Sequence, residues 1–173
     1  KYATQSEFGT TDIQFIIKGA IKEAGLLLLL NKYISNKTGV YPFGEDFNVR
    51  NAPKTLEKLV ELCRDKIPKH EMPLLVGVGD TVTSLQDPKT NSWLRGGSDR
   101  GFLTLIQRLG EAYKKENQVV FVNSCNDQVS RPRINGTDRK GISDPNDDLK
   151  FNMIINDGPQ EYIEWFKQLA RNF

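Results

Sequence analysis

The segment with the clearest chemical potential places one carboxylate directly after a run of small and apolar residues. Pro73–Gly79 is a continuous apolar run, and Asp80 follows it. Such a run, bounded by turn formers, predicts a strand of a parallel sheet that is buried on both faces. Ligands of open α/β sheets bind beyond the carboxyl ends of the strands, where small residues let the backbone approach them. Asp80 therefore either offers a hard oxygen suited to Mg²⁺ or merely caps the next turn.

A second group of polar residues precedes the next predicted helix. Ser98 and Asp99 lie between Arg95 and Arg100, and the helix N-terminus that begins there favours anions. Ser98 and Arg100 are thus candidates for binding a substrate, although Ser98 or Asp99 could simply cap the helix. The turn formers within the intervening Leu85–Leu94 predict a small hairpin that returns Asp99 to Asp80. Two acids would then face one cation.

Other common sites are not supported by the residue spacing. Gly77 and Gly79 lack the third glycine of a dinucleotide motif, and no G-K-[ST] of a phosphate-binding loop follows them. The single histidine, His70, has no serine on a G-x-S-x-G elbow to serve as its partner. Cys63 and Cys125 are far apart and lack zinc-site spacing, which favours a reducing compartment.

The elements around these residues alternate between helical and strand patterns. A strand followed by the Asp99–Lys114 helix and the apolar strand Gln118–Asn123 predicts a parallel crossover, and hence an α/β sheet with flanking helices. The other predicted elements are a β-like start at Ile13–Ile17, a helix from about Gly19 to Tyr33, an irregular aromatic loop at Ser35–Asn51, a helix capped by Asn51 with Pro53 in its first turn and ending at Pro68, a strand at Leu149–Ile155 and a helix at Pro159–Phe173.

Composition limits the class of protein and its partners. The 173 residues are 38% hydrophobic and 27% charged, as expected of one soluble domain. A formal charge of +2 is too small to attract the chain as a whole to nucleic acid or an anionic membrane. The longest apolar run, Leu26–Leu30, is far shorter than a membrane span, and no export signal follows the initial lysine. We therefore expect a cytoplasmic protein without nucleic-acid or membrane partners, whose sequence starts within a longer chain.

Several of these segments together resemble one family. Gly9–Asp12, Lys22–Gly25, Gly77–Ser84 and Gly96–Arg100, followed by Phe102 and Leu103, occur in the order found in the C-terminal half of the glucosylglycerol-phosphate phosphatases. This salt-tolerance family is placed in the haloacid-dehalogenase-like superfamily. The resemblance spans nearly the whole chain and is weak through the polar segment Ser124–Asp148.

The resemblance implies a fold, a reaction and a cofactor. The fold would be a haloacid-dehalogenase-like Rossmannoid parallel sheet, incomplete because the N-terminal part that bears the aspartate nucleophile is absent. The domain would comprise a cap or substrate segment (1–52), a metal-site core (53–123), a polar loop (124–148) and a closing strand and helix (149–173). The reaction would be Mg²⁺-dependent hydrolysis of glucosylglycerol 3-phosphate during osmolyte synthesis, and this chain alone is expected to be inactive.

Residue roles follow from the same resemblance. Asp80 and Asp99 match the acidic motif that holds Mg²⁺, and the superfamily also needs a lysine that pairs with the phosphate and the nucleophile. Lys22 lies in a segment that resembles the family, whereas Lys54 has the spacing more usual in the superfamily. Thr10, Thr11 and Asp12 are candidates for binding sugar hydroxyls, although loop polarity or capping explains them equally well.

Two alternatives remain open from the sequence. The first is a phosphatase for another glycosyl phosphate, such as glucosylglycerate or mannosylglycerate phosphate. The second is a non-catalytic binding or regulatory α/β module, in which the acids only shape a loop. A ligand that binds the folded state stabilises it by mass action. Protection from thermal unfolding by Mg²⁺ or phosphate analogues therefore distinguishes an enzyme from such a module.

Overall fold

The chain divides into two units, each formed by two stretches of sequence. One comprises Lys1–Leu75 with Thr104–Asn117, and the other comprises Val76–Leu103 with Gln118–Phe173. The computed structural model describes residues 2–5, 11–14, 21–87, 89–123 and 144–171. Its elements confirm a mixed α/β fold with a parallel sheet and helices.

The first unit is mainly helical. It contains the antiparallel pair β1 (Tyr2–Gln5) and β2 (Thr11–Gln14) and the helices α1 (Lys22–Thr38) and α2 (Leu56–Lys66). It also contains Thr104–Tyr113 of helix α3 (Arg100–Tyr113). Buried residues of α1 recur at helical spacing, at Ala24, Leu27, Leu30 and Ile34.

Helix α1 ends beyond its predicted limit at a left-handed residue. Gly39 has a φ of 76°, and its amide donates a hydrogen bond to the carbonyl of Ser35. Glycine adopts this conformation without the steric cost that a side chain brings, so it terminates the helix. The start is at Lys22 rather than Gly19, and the predicted strand at Ile13–Ile17 overlaps β2 only in part; residues 15–20 lie outside the described residues.

Helix α2 starts later than the sequence indicated. Thr55 is its N-cap, and the Thr55 hydroxyl accepts a hydrogen bond from the Lys58 amide. The predicted cap, Asn51, instead accepts the Asn48 amide at 2.8 Å and donates to the Asp46 carbonyl at 3.1 Å. The prediction was wrong because Asn51 stabilises the preceding turn, and the helix begins only after it.

The second unit contains a three-stranded parallel sheet. Its order is β3 (Val76–Gly79), β6 (Gln118–Val122) and β7 (Met153–Ile155), and helix α4 (Gly158–Arg171) contacts β6 and β7. Between β3 and α3, β4 (Thr83–Gln86) and β5 (Trp93–Gly96) form the predicted hairpin. The core of this unit contains Val120, Val122 and Ile155, against which Val78 and Tyr162 pack.

Burial differs between the two predicted buried strands. In β6, Val119–Val122 are all buried, as the continuous apolar run indicated. In β3, Val76 is 52% exposed, so the prediction that this strand is buried on both faces was wrong. β7 is also shorter than the predicted Leu149–Ile155 strand.

Two acids at the end of the predicted polar loop are buried, whereas Pro145, Asn146 and Asp148 beside them are exposed. Asp144 and Asp147 are buried, with exposed fractions of 3% and 1%. This part of the prediction was wrong because both carboxylates have arginine partners elsewhere in the chain. Residues 124–143 lie outside the described residues.

Among the helices in the described part of the chain, none is long and apolar enough to cross a membrane.

Candidate active site

The two predicted metal-binding acids meet beyond the carboxyl end of β3. Asp99 is 4% exposed, and its Oδ2 atom accepts hydrogen bonds from the amides of Asp80 and Thr81, at 3.0 and 2.9 Å. The Asp99 amide in turn donates to the Thr81 carbonyl at 3.1 Å. The hairpin therefore returns Asp99 to Asp80, as the sequence predicted.

The Asp80 carboxylate is oriented by its neighbour. The Thr81 hydroxyl donates to Asp80 Oδ1 at 2.8 Å, and Asp80 is half-buried rather than enclosed. The backbone amides of Asp80 and Thr81 point to Asp99, so the loop that carries the Asp80 side chain is held at its main chain. This arrangement gives a partly accessible carboxylate on a backbone with a defined conformation.

Two glycines permit the close approach of the loop and the turn. A Cβ atom on Gly79 would lie 2.8 Å from the Cβ of Asp99. Gly97 has a φ of 100°, and a Cβ atom there would lie 2.2 Å from the Thr81 carbonyl oxygen. Larger residues at these positions would force the two segments apart, because neither contact leaves room for a methyl group.

Two arginines beside this turn bind buried aspartates from the end of the polar segment. Arg100 donates from Nη1 to Asp147 Oδ2 at 2.9 Å and from Nη2 to Asp147 Oδ1, which makes the pair bidentate. Arg95 donates from Nε to Asp144 Oδ2 at 2.9 Å and from Nη2 to the Asn146 carbonyl at 3.1 Å. We call Arg95, Arg100, Asp144 and Asp147 the arginine–aspartate cluster.

Asp147 is stabilised as a carboxylate within this cluster. Burial acts to raise the pKa of the Asp147 carboxyl, but hydrogen bonds from Arg100 and from the Leu149 amide outweigh it and hold the pKa below its usual value. For Arg95, the hydrogen bond to Asp144 raises the pKa of the guanidinium. Asp147 is therefore a charged partner of Arg100 at neutral pH.

The donors at Asp80 fit one common mode of Mg²⁺ binding. Within the described ranges, no group of three or more His, Cys, Asp or Glu residues could hold a metal ion. Mg²⁺ often uses only one or two protein carboxylates and completes its shell with waters and substrate phosphate oxygens. A half-buried carboxylate at the strand end, with its loop held by Asp99, matches that mode.

The remaining predicted site residues are distributed between the units. Lys22 is the exposed first residue of α1, and Lys54 donates from Nζ to the Val49 carbonyl at 2.8 Å; both belong to the first unit. Ser98 is exposed in the second unit, and the predicted substrate ligand Arg100 is bound by Asp147. Thr11 and Asp12 lie in β2, and Thr10 lies outside the described residues.

Sequence reasoning missed three polar residues near the predicted ones. Asp144 and Asp147 were missed because acids in a polar stretch are ordinarily solvated; the apolar Leu149 soon after them was the available signal of burial. Asn123, at the carboxyl end of β6, was also missed. It is 7% exposed, and within the described part of the chain its Oδ1 atom has no hydrogen-bond partner.

Comparison with known proteins gives one consistent assignment. A family model described as glucosylglycerol-phosphate phosphatase matches residues 1–170. The glucosylglycerol-phosphate phosphatase of Synechocystis sp. is 40% identical over 182 aligned residues, which cover 99% of this chain and 43% of that protein. The chain thus spans less than half the length of this relative. No solved structure matches it significantly.

The resemblance inferred from the sequence motifs is therefore confirmed over almost the whole chain. The matched region includes the β3 strand, the Asp80 loop, the hairpin and the Asp99 turn described above. The chain belongs to the glucosylglycerol-phosphate phosphatase family.

Proposed function

We propose that the full-length protein hydrolyses glucosylglycerol 3-phosphate to glucosylglycerol and phosphate in the synthesis of a compatible solute. The observation that carries this proposal is the Asp80–Asp99 contact beyond the carboxyl end of β3, in a chain of this family. Phosphoryl transfer depends mainly on positioning and on neutralising phosphate charge. An acidic loop suited to a divalent cation supports such chemistry.

Asp80 is the residue that would hold Mg²⁺. When bound, the ion would neutralise the phosphate oxygens and orient the phosphate group for displacement. Asp99 was predicted as a second ligand, but its Oδ2 atom accepts the Asp80 and Thr81 amides. We propose that Asp99 acts by holding the loop, so that the Asp80 carboxylate keeps its orientation when the substrate binds.

A lysine is proposed to pair with the phosphate. Lys22 is the preferred candidate because it lies in a segment that resembles the family, and Lys54, which has the spacing more usual in the superfamily, is the alternative. Thr10, Thr11 and Asp12 are proposed to bind sugar hydroxyls. The exposed Ser98 is a separate candidate for binding the substrate. Arg100 was predicted as a substrate ligand, and its bidentate pair with Asp147 supports a positioning role instead.

Three finer proposals accompany this activity. They are a haloacid-dehalogenase-like fold with an aspartate nucleophile, Mg²⁺ as the cofactor, and a cytoplasmic location. The nucleophile is not assigned to a residue of this chain. The location is supported by the cysteine usage, since the spacing of Cys63 and Cys125 favours a reducing compartment.

The test is phosphate release by the full-length protein with Mg²⁺ and after removal of divalent ions by chelation. We expect release from glucosylglycerol 3-phosphate in the presence of Mg²⁺, with much slower release from glucosylglycerate and mannosylglycerate phosphates. Faster hydrolysis of a glycosylglycerate phosphate would assign a different substrate. No release from any of these esters would contradict the phosphatase proposal.

A further inference from the structure

The start of helix α3 connects the arginine–aspartate cluster to the candidate metal loop. Asp99 and Arg100 are consecutive residues, and their side chains bind different segments of the chain. The Asp99 carboxylate accepts the amides of Asp80 and Thr81, while the Arg100 guanidinium binds Asp147. A shift of this turn would therefore alter both contacts.

Asp147 is suited to holding this turn firmly. Its side chain is 1% exposed, and both of its oxygens bind Arg100, which uses a planar fork of donors. Its Oδ1 atom also accepts the Leu149 amide at 3.0 Å. Bidentate charged pairs restrict orientation as well as distance, so Asp147 limits the movement of Arg100.

Close packing around the turn means that the position of Arg100 also affects the neighbouring segments. Gly79 and Gly97 allow backbone segments to approach so closely that no Cβ atom would fit. Closely packed segments transmit small displacements rather than absorb them. Movement of Arg100 would therefore reach the amides of Asp80 and Thr81 through Asp99.

We propose that Asp147 is a positioning residue for the reaction, and that it acts through Arg100 and Asp99 to keep the Asp80 loop in its cation-binding conformation. This inference rests on the proposed function for its effect on turnover. Its structural part, the coupling of Asp147 to the Asp80 and Thr81 amides, is measurable without substrate. Asp147 would act from outside the cation site, through its contact with Arg100.

The test combines residue-resolved amide hydrogen exchange with kinetics on the full-length protein. In Asp147→Asn, we expect exchange of the Asp80 and Thr81 amides to accelerate about tenfold or more, while Val120 in β6 is unchanged. Loss of an outer-shell partner typically costs about 10–100-fold in metal affinity or activity. The half-saturating Mg²⁺ concentration should therefore rise and kcat should fall, with KM for the substrate nearly constant at saturating Mg²⁺.

Two further variants make the test specific. Arg100→Lys keeps the charge but removes the planar fork, so it should accelerate hydrogen exchange of the same two amides. It provides the test if Asp147→Asn does not fold. Asp157→Asn removes an exposed carboxylate from the same unit and should change neither readout. Equal acceleration of all amides would reveal a merely structural role and overturn the proposal, as would unchanged exchange at Asp80 and Thr81.

The two proposals fail in different ways. An unmodified protein that releases no phosphate from any tested ester would contradict the proposed function. The exchange comparison would still decide the positioning role, because local acceleration at Asp80 and Thr81 supports it and its absence overturns it. Normal phosphate release and Mg²⁺ dependence in Asp147→Asn would overturn the positioning role alone.

Discussion

The two units differ in the kind of polar group that they bury. In the described part of the first unit, the buried polar residues are the neutral amides Asn31 and Asn117. The described part of the second unit buries three carboxylates, at Asp99, Asp144 and Asp147, together with Ser84 and Asn123. The second unit is also the one that contains the loop with Asp80.

The neutral amides complete backbone hydrogen bonding. Asn31 donates to the Gly44 carbonyl and accepts the Phe43 amide, which connects α1 to the aromatic loop. Asn117 donates to the Ile106 carbonyl at 2.9 Å and accepts the Leu75 amide at 3.0 Å. Each side chain satisfies one donor and one acceptor that would otherwise be unpaired in the interior.

The buried carboxylates have a different consequence. Removing a charge from water is costly. Replacing a buried ion pair by apolar residues of similar volume therefore often leaves a protein equally stable or more stable. Such pairs are therefore weak evidence for stability alone. In the second unit, the buried Asp99 accepts the Asp80 and Thr81 amides, so buried charge there fixes the conformation of a loop.

The largest effect should come from breaking one buried pair. Asp147→Ala leaves the Arg100 guanidinium without its bidentate partner, so we expect a loss of about 3–5 kcal/mol in the free energy of unfolding. Denaturant titration of the full-length protein measures it. A loss below about 1 kcal/mol, the value typical of surface pairs, would contradict the contrast between the units.

Replacing one glycine in each unit by alanine should change the stability of the protein in opposite directions. Gly97→Ala places a Cβ atom against the Thr81 carbonyl at a positive φ, and should cost roughly 2–4 kcal/mol. Gly25→Ala in α1 meets nothing within 4 Å and should stabilise the protein by about 0.5–1 kcal/mol. Thermal unfolding of both variants provides the comparison, and destabilisation of equal size would refute it.

The neutral network should be less sensitive than the charged one. Asn117→Ala leaves the Leu75 amide and the Ile106 carbonyl without their side-chain partner, and we expect a loss of about 1–3 kcal/mol. Phosphate release should remain normal at temperatures where the variant is folded. A selective loss of activity in the folded variant would place catalytic function in the first unit's interior.

The smallest effect is a difference in pH dependence. The pKa of Asp147 is lower in the folded protein than the ordinary value of about 3.9, so its contribution to stability is present above that value. It is lost as the pH falls through the folded pKa. Below about pH 4, stability should fall less steeply in Asp147→Asn, by at most about 1.4 kcal/mol per pH unit. Parallel slopes for the two proteins would argue against the ionised Asp147.

Local patterns in the sequence predicted much of the site. The apolar run before Asp80 indicated β3, and turn formers indicated the hairpin that returns Asp99 to it. Both features depend on residues close in sequence. Helix α2 was misplaced because Asn51 hydrogen-bonds within the preceding turn, which the preference of asparagine for caps did not reveal.

The arginine–aspartate cluster could not be predicted from such local patterns. Arg100 and Asp147 are separated by 47 positions, and Arg95 and Asp144 by 49. The polar composition of this segment favoured solvated acids, although the tertiary fold buries Asp144 and Asp147. Only the three-dimensional arrangement identifies which arginine neutralises which acid, and hence that Arg100 is bound to Asp147.

Whether Asp80 holds the cation is tested by the Mg²⁺-dependent turnover of Asp80→Asn beside Asp157→Asn, both in the full-length protein with glucosylglycerol 3-phosphate. Asp80→Asn retains the shape of the side chain but removes the charge that would hold the cation. We expect kcat/KM to fall at least about 100-fold in Asp80→Asn, with Asp157→Asn unchanged. Near-normal, Mg²⁺-dependent turnover in a folded Asp80→Asn protein would contradict the assignment of the site to this loop.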